Sequence, residues 1–304
     1  MAVYTTTETG ALNDVNQLMD NLHQFILNNT DFTIELFEEH KTGKRLIIKK
    51  GVLYYNFYSS IKEGARYGSV SDYDSISSFI SDSFDPLLDF NDAINNKEQR
   101  ARYTTQVFQD DMPFYGFYWN GRNFVIVAEW TNGFYSFTNF GEIETYGSYN
   151  FNLIESNYDN DYSTGVVDDY NYAPLFYDYS SMIYADNKFF NDINSNNPEC
   201  FNDMQGQGMT FIEPDFQKAM YNKLNGKSTL FYNKFYSTSE FRNTFLPMAE
   251  QNDYAMCSSE FLQPQEEFFV GNKKYIFFPF FFKEDPIDYR NRASLGMGIA
   301  IRIE

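Results

Sequence analysis

Leu12, Val15, Leu18, Met19, Leu22, Phe25 and Ile26 recur at intervals of three and four residues, the spacing that sets apolar side chains on one face of a helix of about four turns. Asn28-Asn29 marks its end. Phe32-Thr33-Ile34-Glu35-Leu36-Phe37-Glu38 then switches to the two-residue period of a half-buried strand. Arg45 to Lys49 and Val52 to Tyr58 are two further strand-like runs, and the intervening Lys50-Gly51 predicts a tight hairpin, with His40 in the loop before it.

From about Lys62 to Ala101 the chain is rich in Ser and Asp around Phe79, Ile80, Leu87, Leu88 and Ile94, which predicts loops and one short helix. Sheet signals return between Tyr103 and Asn152, where Asn120-Gly121 and Asn132-Gly133 each separate two aromatic or β-branched runs. A two-residue hairpin turn needs positive backbone dihedrals, which Asn-Gly supplies at little steric cost. Asn157 to Asn197 is a mixture of Asp, Asn, Tyr and Ser with little periodicity and reads as a long surface insertion. Phe216, Met220 and Leu224 share one face of a short helix. Strands resume at Glu260, with Gly271-Asn272 as a turn and Ile299-Ala300-Ile301-Arg302-Ile303 as a closing alternating strand.

These elements predict a mainly β protein with a minor α part: an antiparallel β-sandwich or partly closed barrel, an N-terminal amphipathic helix across or beside it, and long loop insertions. The expected organisation is one composite domain, with a helix arm at 1–30, a first β-rich part at 31–156, a loop-rich insertion with a short helix at 157–245, and strands completing the core at 246–304.

Composition and the character of individual segments sharpen this picture. Thirty-three Phe and 25 Tyr lift the aromatic share to 20%, which favours strands and interfaces; Tyr suits a surface that is soluble before assembly and buried after it. The formal charge of −19 opposes approach to nucleic acid or to anionic bilayers and leaves a basic protein face as a compatible partner. Met1 to Gly10 carries neither a basic segment nor an apolar run, so a protein made and kept in the cytosol is expected. The longest apolar stretch, Tyr275 to Phe282, is too short to span a bilayer and contains Pro279, and it reads as a buried strand. Cys200 and Cys257 lack metal-type spacing and are expected as thiols.

Candidate chemistry is sparse. His23 lies in the predicted helix, and neither it nor His40 has a nucleophile nearby in sequence. There is no G-x-S-x-G, phosphate-cradling glycine loop or H-E-x-x-H. Asp159, Asp161, Asp168 and Asp169 form the densest acidic group. A carboxylate pair there would suit glycoside hydrolysis, although such a run reads more simply as a solvated loop. It fails as a calcium loop, because Thr164 stands at the turn position and Tyr170 where the bidentate Glu belongs. Trp119 and Trp130 flank one hairpin and offer a sugar-stacking platform, against the simpler reading that Trp119, Phe124 and Val127 belong to the sheet core. No catalytic residue, cofactor or metal is expected.

Three segments carry a resemblance. The first is Val3-Tyr4-Thr5 with the helix after it, followed by Arg45-Leu46-Ile47-Ile48-Lys49-Lys50-Gly51. The second and most specific is Phe117-Tyr118-Trp119-Asn120-Gly121-Arg122-Asn123-Phe124-Val125-Ile126-Val127-Ala128 with Phe134-Tyr135-Ser136-Phe137-Thr138-Asn139-Phe140-Gly141. The third joins Gly271 to Pro279 with Ile287-Asp288-Tyr289-Arg290. Together they resemble a family of tailed-bacteriophage virion structural proteins of comparable length, encoded in tail modules. The family's proline-rich corner is absent after Gly141, where Glu142-Ile143-Glu144-Thr145-Tyr146-Gly147 follows. The resemblance implies a place in the tail, baseplate or tail-attachment region of a virion assembled in the host cytoplasm. It implies other virion proteins and copies of the chain itself as partners, rather than nucleic acid or membrane. Tyr158, Tyr162, Tyr170, Tyr172, Tyr177 and Tyr179 are the candidate interaction residues. The alternatives are a tail-tip module binding a host surface glycan and a glycan-degrading enzyme.

Overall fold

The computed structural model describes residues 3–61, 74–88, 104–108, 111–131, 134–147, 150–156, 181–185, 188–190, 207–210, 230–239, 244–258, 262–279 and 297–304. Within them the apolar periodicity at the start of the chain becomes helix α1, Val15–Asn29, which buries Val15, Leu18, Met19, Leu22, Phe25 and Ile26. Asp14 caps it by accepting a hydrogen bond from the Gln17 N–H at 2.9 Å. Thr30 ends it with both its backbone N–H and its hydroxyl on the Ile26 carbonyl. Leu12, expected on the helix, instead ends strand β1, Thr6–Leu12, because the cap at Asp14 starts the helix only afterwards.

Among the described residues all strand pairs are antiparallel and fall into three sheets. The first outer sheet has the order β2–β3–β4–β5–β6, with β2 Thr33–His40, β3 Gly43–Lys50, β4 Leu53–Ser60, β5 Asp74–Ser81 and β6 Thr104–Phe108. The central sheet runs β1–β7–β8–β9–β11–β12–β13, with β7 Met112–Trp119, β8 Asn123–Thr131, β9 Phe134–Glu142, β11 Phe151–Ser156, β12 Ser181–Ala185 and β13 Lys188–Phe190. The second outer sheet runs β14–β15–β16–β19–β18–β17, with β14 Gln207–Thr210, β15 Leu230–Ser239, β16 Thr244–Ser258, β17 Glu267–Val270, β18 Lys273–Pro279 and β19 Met297–Arg302; the short β10, Glu144–Thr145, also pairs with β16. The protein is thus mainly β and antiparallel, with no closed barrel among the described strands.

Side-chain alternation explains the stacking. Along β8, Phe124, Ile126 and Ala128 enter a core shared with α1 and the first outer sheet. Val125 and Val127 enter a second core shared with Tyr254, Phe278, Ile299 and Ile301 of the second outer sheet. Strand β8, in the middle of the sheet, is therefore buried on both faces, which the period of two permits only when both parities are apolar. Phe140 is a hub of the first core: its ring centroid lies 4.9 Å from Phe57 and Phe124, 5.6 Å from Tyr55 and 5.7 Å from Phe32. Polar threads cross this interface as well, from Tyr55 hydroxyl to Asn152 at 3.0 Å and from the Gln106 amide to the Ser136 hydroxyl at 3.2 Å.

Several sequence expectations shift. The β3–β4 turn is Gly51-Val52 rather than Lys50-Gly51, with Gly51 at φ +63° and Lys50 already paired to Leu53. His40 ends β2, opposite Gly43, instead of lying in a loop. The Ser- and Asp-rich stretch expected as loop contains β5, Asp-Ser-Ile-Ser-Ser-Phe-Ile-Ser, buried at every position between β4 and β6. Two flanking strands supply its backbone partners, so tertiary placement overrides composition. Strands β12 and β13 lie in the stretch read as a surface insertion, and β14, β15 and the whole of β16 precede the expected restart at Glu260. The Gly271-Asn272 turn and the closing alternating strand are where they were expected. Asn132-Gly133 and the helix expected at Phe216 to Leu224 lie outside the described residues.

The hub position of Phe140 sets an expectation. Phe140→Ala lowers the unfolding free energy by about 3–5 kcal/mol in urea titration, whereas Leu87→Ala, at a side chain 91% exposed, changes it by no more than about 0.5 kcal/mol.

Candidate functional site

The Asn-Gly-Arg turn between β7 and β8 carries the densest polar geometry of the described residues. Asn120 Oδ1 accepts from the backbone N–H groups of Arg122 (3.0 Å) and Asn123 (2.7 Å), folding the turn back on itself. Gly121, at φ +91°, supplies the left-handed residue with open space around it. The turn leans on β9: the Glu142 N–H donates to the Arg122 carbonyl at 3.0 Å. Gly141, at φ +125°, passes so close that a Cβ there would lie 2.3 Å from that same carbonyl oxygen. Each part of the Asn-Gly-Arg and aromatic-corner motif therefore has a local structural reason.

From this turn two side chains reach into the second outer sheet. The Asn120 amide donates to Asp253 Oδ1 at 2.9 Å, and Arg122 Nη2 donates to the same oxygen at 3.0 Å. Asp253, on β16, is fully buried. Burial raises its carboxyl above the ordinary value, and the Arg122 charge offsets part of that rise. Beside it Tyr4 donates its hydroxyl to Asn123 Oδ1 at 2.7 Å and its backbone N–H to the Arg302 carbonyl at 2.9 Å. Burial, followed by the nearby Asp253, holds the Tyr4 hydroxyl well above its usual range.

A second polar group lies farther along the same interface. Glu155, on β11, is fully buried, and its Oε1 accepts from Asn139 Nδ2 at 2.8 Å and from the Tyr254 hydroxyl. Burial pushes Glu155 well above the carboxylate range, and the Asn139 hydrogen bond offsets this only in part. On the first outer sheet Lys50 completes the fastening of the turn: its Nζ donates to the Gly121 carbonyl at 3.3 Å, pairs with Asp31 at 3.1 Å, and lies 5.0 Å from the Trp119 ring centre.

Tyr158, Tyr162, Tyr170, Tyr172, Tyr177 and Tyr179, together with Asp159, Asp161, Asp168, Asp169 and Cys200, lie outside the described residues. Trp119 is only 5% exposed and packs on Phe32 and Phe124, so it belongs to the core rather than to a sugar-stacking surface. His23 stacks on Phe37 with centroids 4.1 Å apart, and burial lowers its basicity. Cys257 is buried on the outward side of the second outer sheet with Tyr275, Phe277 and Ala300. Among the described residues no cluster of His, Cys, Asp and Glu has metal-binding geometry, and no helix is long and apolar enough to cross a membrane.

Glu155 and Asp253 are buried, hydrogen-bonded carboxyls that the sequence did not single out. Their signal was an acid set directly against an apolar strand run, in Phe151-Asn152-Leu153-Ile154-Glu155 and Asp253-Tyr254-Ala255-Met256. Neither reaches solvent, whereas acid–base work on a sugar needs both carboxyls open to it. What this geometry does is join two sheets through directional bonds. No protein-family model matches the chain, and no curated protein matches it in sequence.

Because Arg122 is the cation that faces buried Asp253, Arg122→Ala strands a charge and lowers stability by about 3 kcal/mol in a denaturant titration. Gly141→Ala costs at least about 2 kcal/mol, exceeding the loss of about 1 kcal/mol from Gly121→Ala, where the only penalty is the left-handed backbone.

Proposed function

We propose that the chain is a structural component of a tailed-phage virion, in the tail, baseplate or tail-attachment region, that acts without catalysis through contacts with other virion proteins and with copies of itself. The observation that carries this reading is the use made of the most specific motif in the resemblance. Asn120, Gly121, Arg122, Asn123 and Gly141 all serve the joint between stacked sheets, and the polar groups they gather are closed to solvent. A motif whose residues hold layers in register suits a part that must keep its shape within an assembly. The edge strand β17, which presents Phe269 at 65% and Val270 at 41% exposure, is consistent with the same reading, since apolar sheet edges are ordinarily covered by a neighbour.

Mass spectrometry of particles purified from cells infected with the virus encoding this chain tests the proposal. The chain is expected in intact particles in a fixed ratio to the tail proteins and at one position when labelled for electron microscopy. Its absence from purified particles, with the chain found only in the infected-cell lysate, overturns the reading.

A further inference from the structure

Glu155 is an unusual residue to find between two sheets. It stands on β11 with Leu153 and Phe151 of the same core, and it faces β16 across the interface. One carboxyl oxygen takes both hydrogen bonds, from the Tyr254 hydroxyl and the Asn139 amide; the other, Oε2, has no hydrogen-bond partner among the described residues. Asn139 Oδ1 is buried and lacks one as well. A carboxylate in such a place forgoes hydration on one oxygen entirely, while a neutral carboxylic acid tolerates it at far smaller cost.

Across the interface β16 presents Tyr254 and Asp253, and Asp253 already holds Arg122 from the β7–β8 turn. The N-terminal segment presents Tyr4, whose hydroxyl is committed to Asn123 and feels Glu155, Asp253 and Arg122 together. On the central sheet β9 presents the neutral Asn139, and from β19 come the apolar Ile299 and Ile301. Among the described residues no Lys or Arg makes an ion pair with Glu155, and the nearby guanidinium is held by the other acid.

We propose that Glu155 is a proton-operated latch between the central and second outer sheets: with its proton the carboxyl closes the interface against Tyr254, and without it the second outer sheet loosens from the central one. A charge there goes unhydrated while these layers stay closed, because the residue is wholly buried beside the apolar core they share. The direction follows from linkage. Burial raises the folded-state value, so the stabilising contribution of the neutral acid is complete below the unfolded-state value of about 4.3 and is lost as pH rises from there through the folded-state value. Bases, not acids, open the latch.

Thermal melts of the wild-type chain and Glu155→Gln across a pH series provide the test. The amide keeps the acceptor for Tyr254 and cannot ionise, so the melting temperature of Glu155→Gln relative to wild type is expected to climb by several degrees between about pH 5 and about pH 8. Amide exchange in β16 and β19 of the wild type is expected to quicken over the same range more than in β3 and β4. Parallel melting curves for the two proteins overturn the latch. Infrared spectra of wild-type chain carrying ¹³C-labelled glutamate read the same group without any substitution: a protonated carboxyl band persisting to higher pH in the folded than in the urea-unfolded chain is expected, and loss of that band at the same pH in both would also overturn the latch.

Discussion

The middle of the central sheet has no side facing water, and the rest of the molecule is arranged around that constraint. Strand β8 shows its strength: Phe124, Val125, Ile126, Val127 and Ala128 are all buried, alternate residues going to opposite cores. A shift of one residue in its pairing would exchange the two sets, placing Phe124 where Val125 fits. Apolar packing cannot by itself forbid that shift, because both parities are hydrophobic. Directional bonds must, and they lie at the end of the strand where the turn begins. Asn120 and Arg122 both meet Asp253, and Asn123 meets Tyr4, so the start of β8 is fastened to the second outer sheet and to the N-terminal segment before its apolar run begins.

This explains why buried charge is tolerated where it adds little net stability. A buried ion pair roughly balances its own desolvation, and its value lies in selecting one arrangement among several of similar energy. Lys50 does the same from the opposite side, tying the turn to the first outer sheet through the Gly121 carbonyl. The turn thus touches all three layers, and its rigidity is the property on which the proposed role in an assembly rests.

Legibility in the sequence followed physical simplicity. Helix α1, the Asn-Gly turn at 120–121 and the Gly271-Asn272 hairpin were readable because each depends on local periodicity or on a left-handed turn residue. Strand β5 was not, since five of its eight residues are Asp or Ser and only its place between two strands makes them structural. Strand β16 was obscured by Pro247, which sits beside a register shift opposite Tyr236, and by Gln251-Asn252, which interrupt its apolar pattern. The polar seam was the least readable part. Glu155 and Asp253 belong to strands nearly a hundred residues apart in sequence, and only the stacking of two sheets reveals that both are sealed at one interface. The stacking itself was half visible: a sandwich followed from alternating strands, but a central sheet covered twice required knowing that both parities of β8 were interior.

Native-state hydrogen exchange addresses the doubly buried central sheet most directly. If that sheet anchors the fold, the amides of Phe124 to Ala128 exchange only through global unfolding, with opening free energies equal to the value from denaturant titration. Exchange of these amides by local opening, at free energies no greater than those of the edge strand β17, would contradict the account.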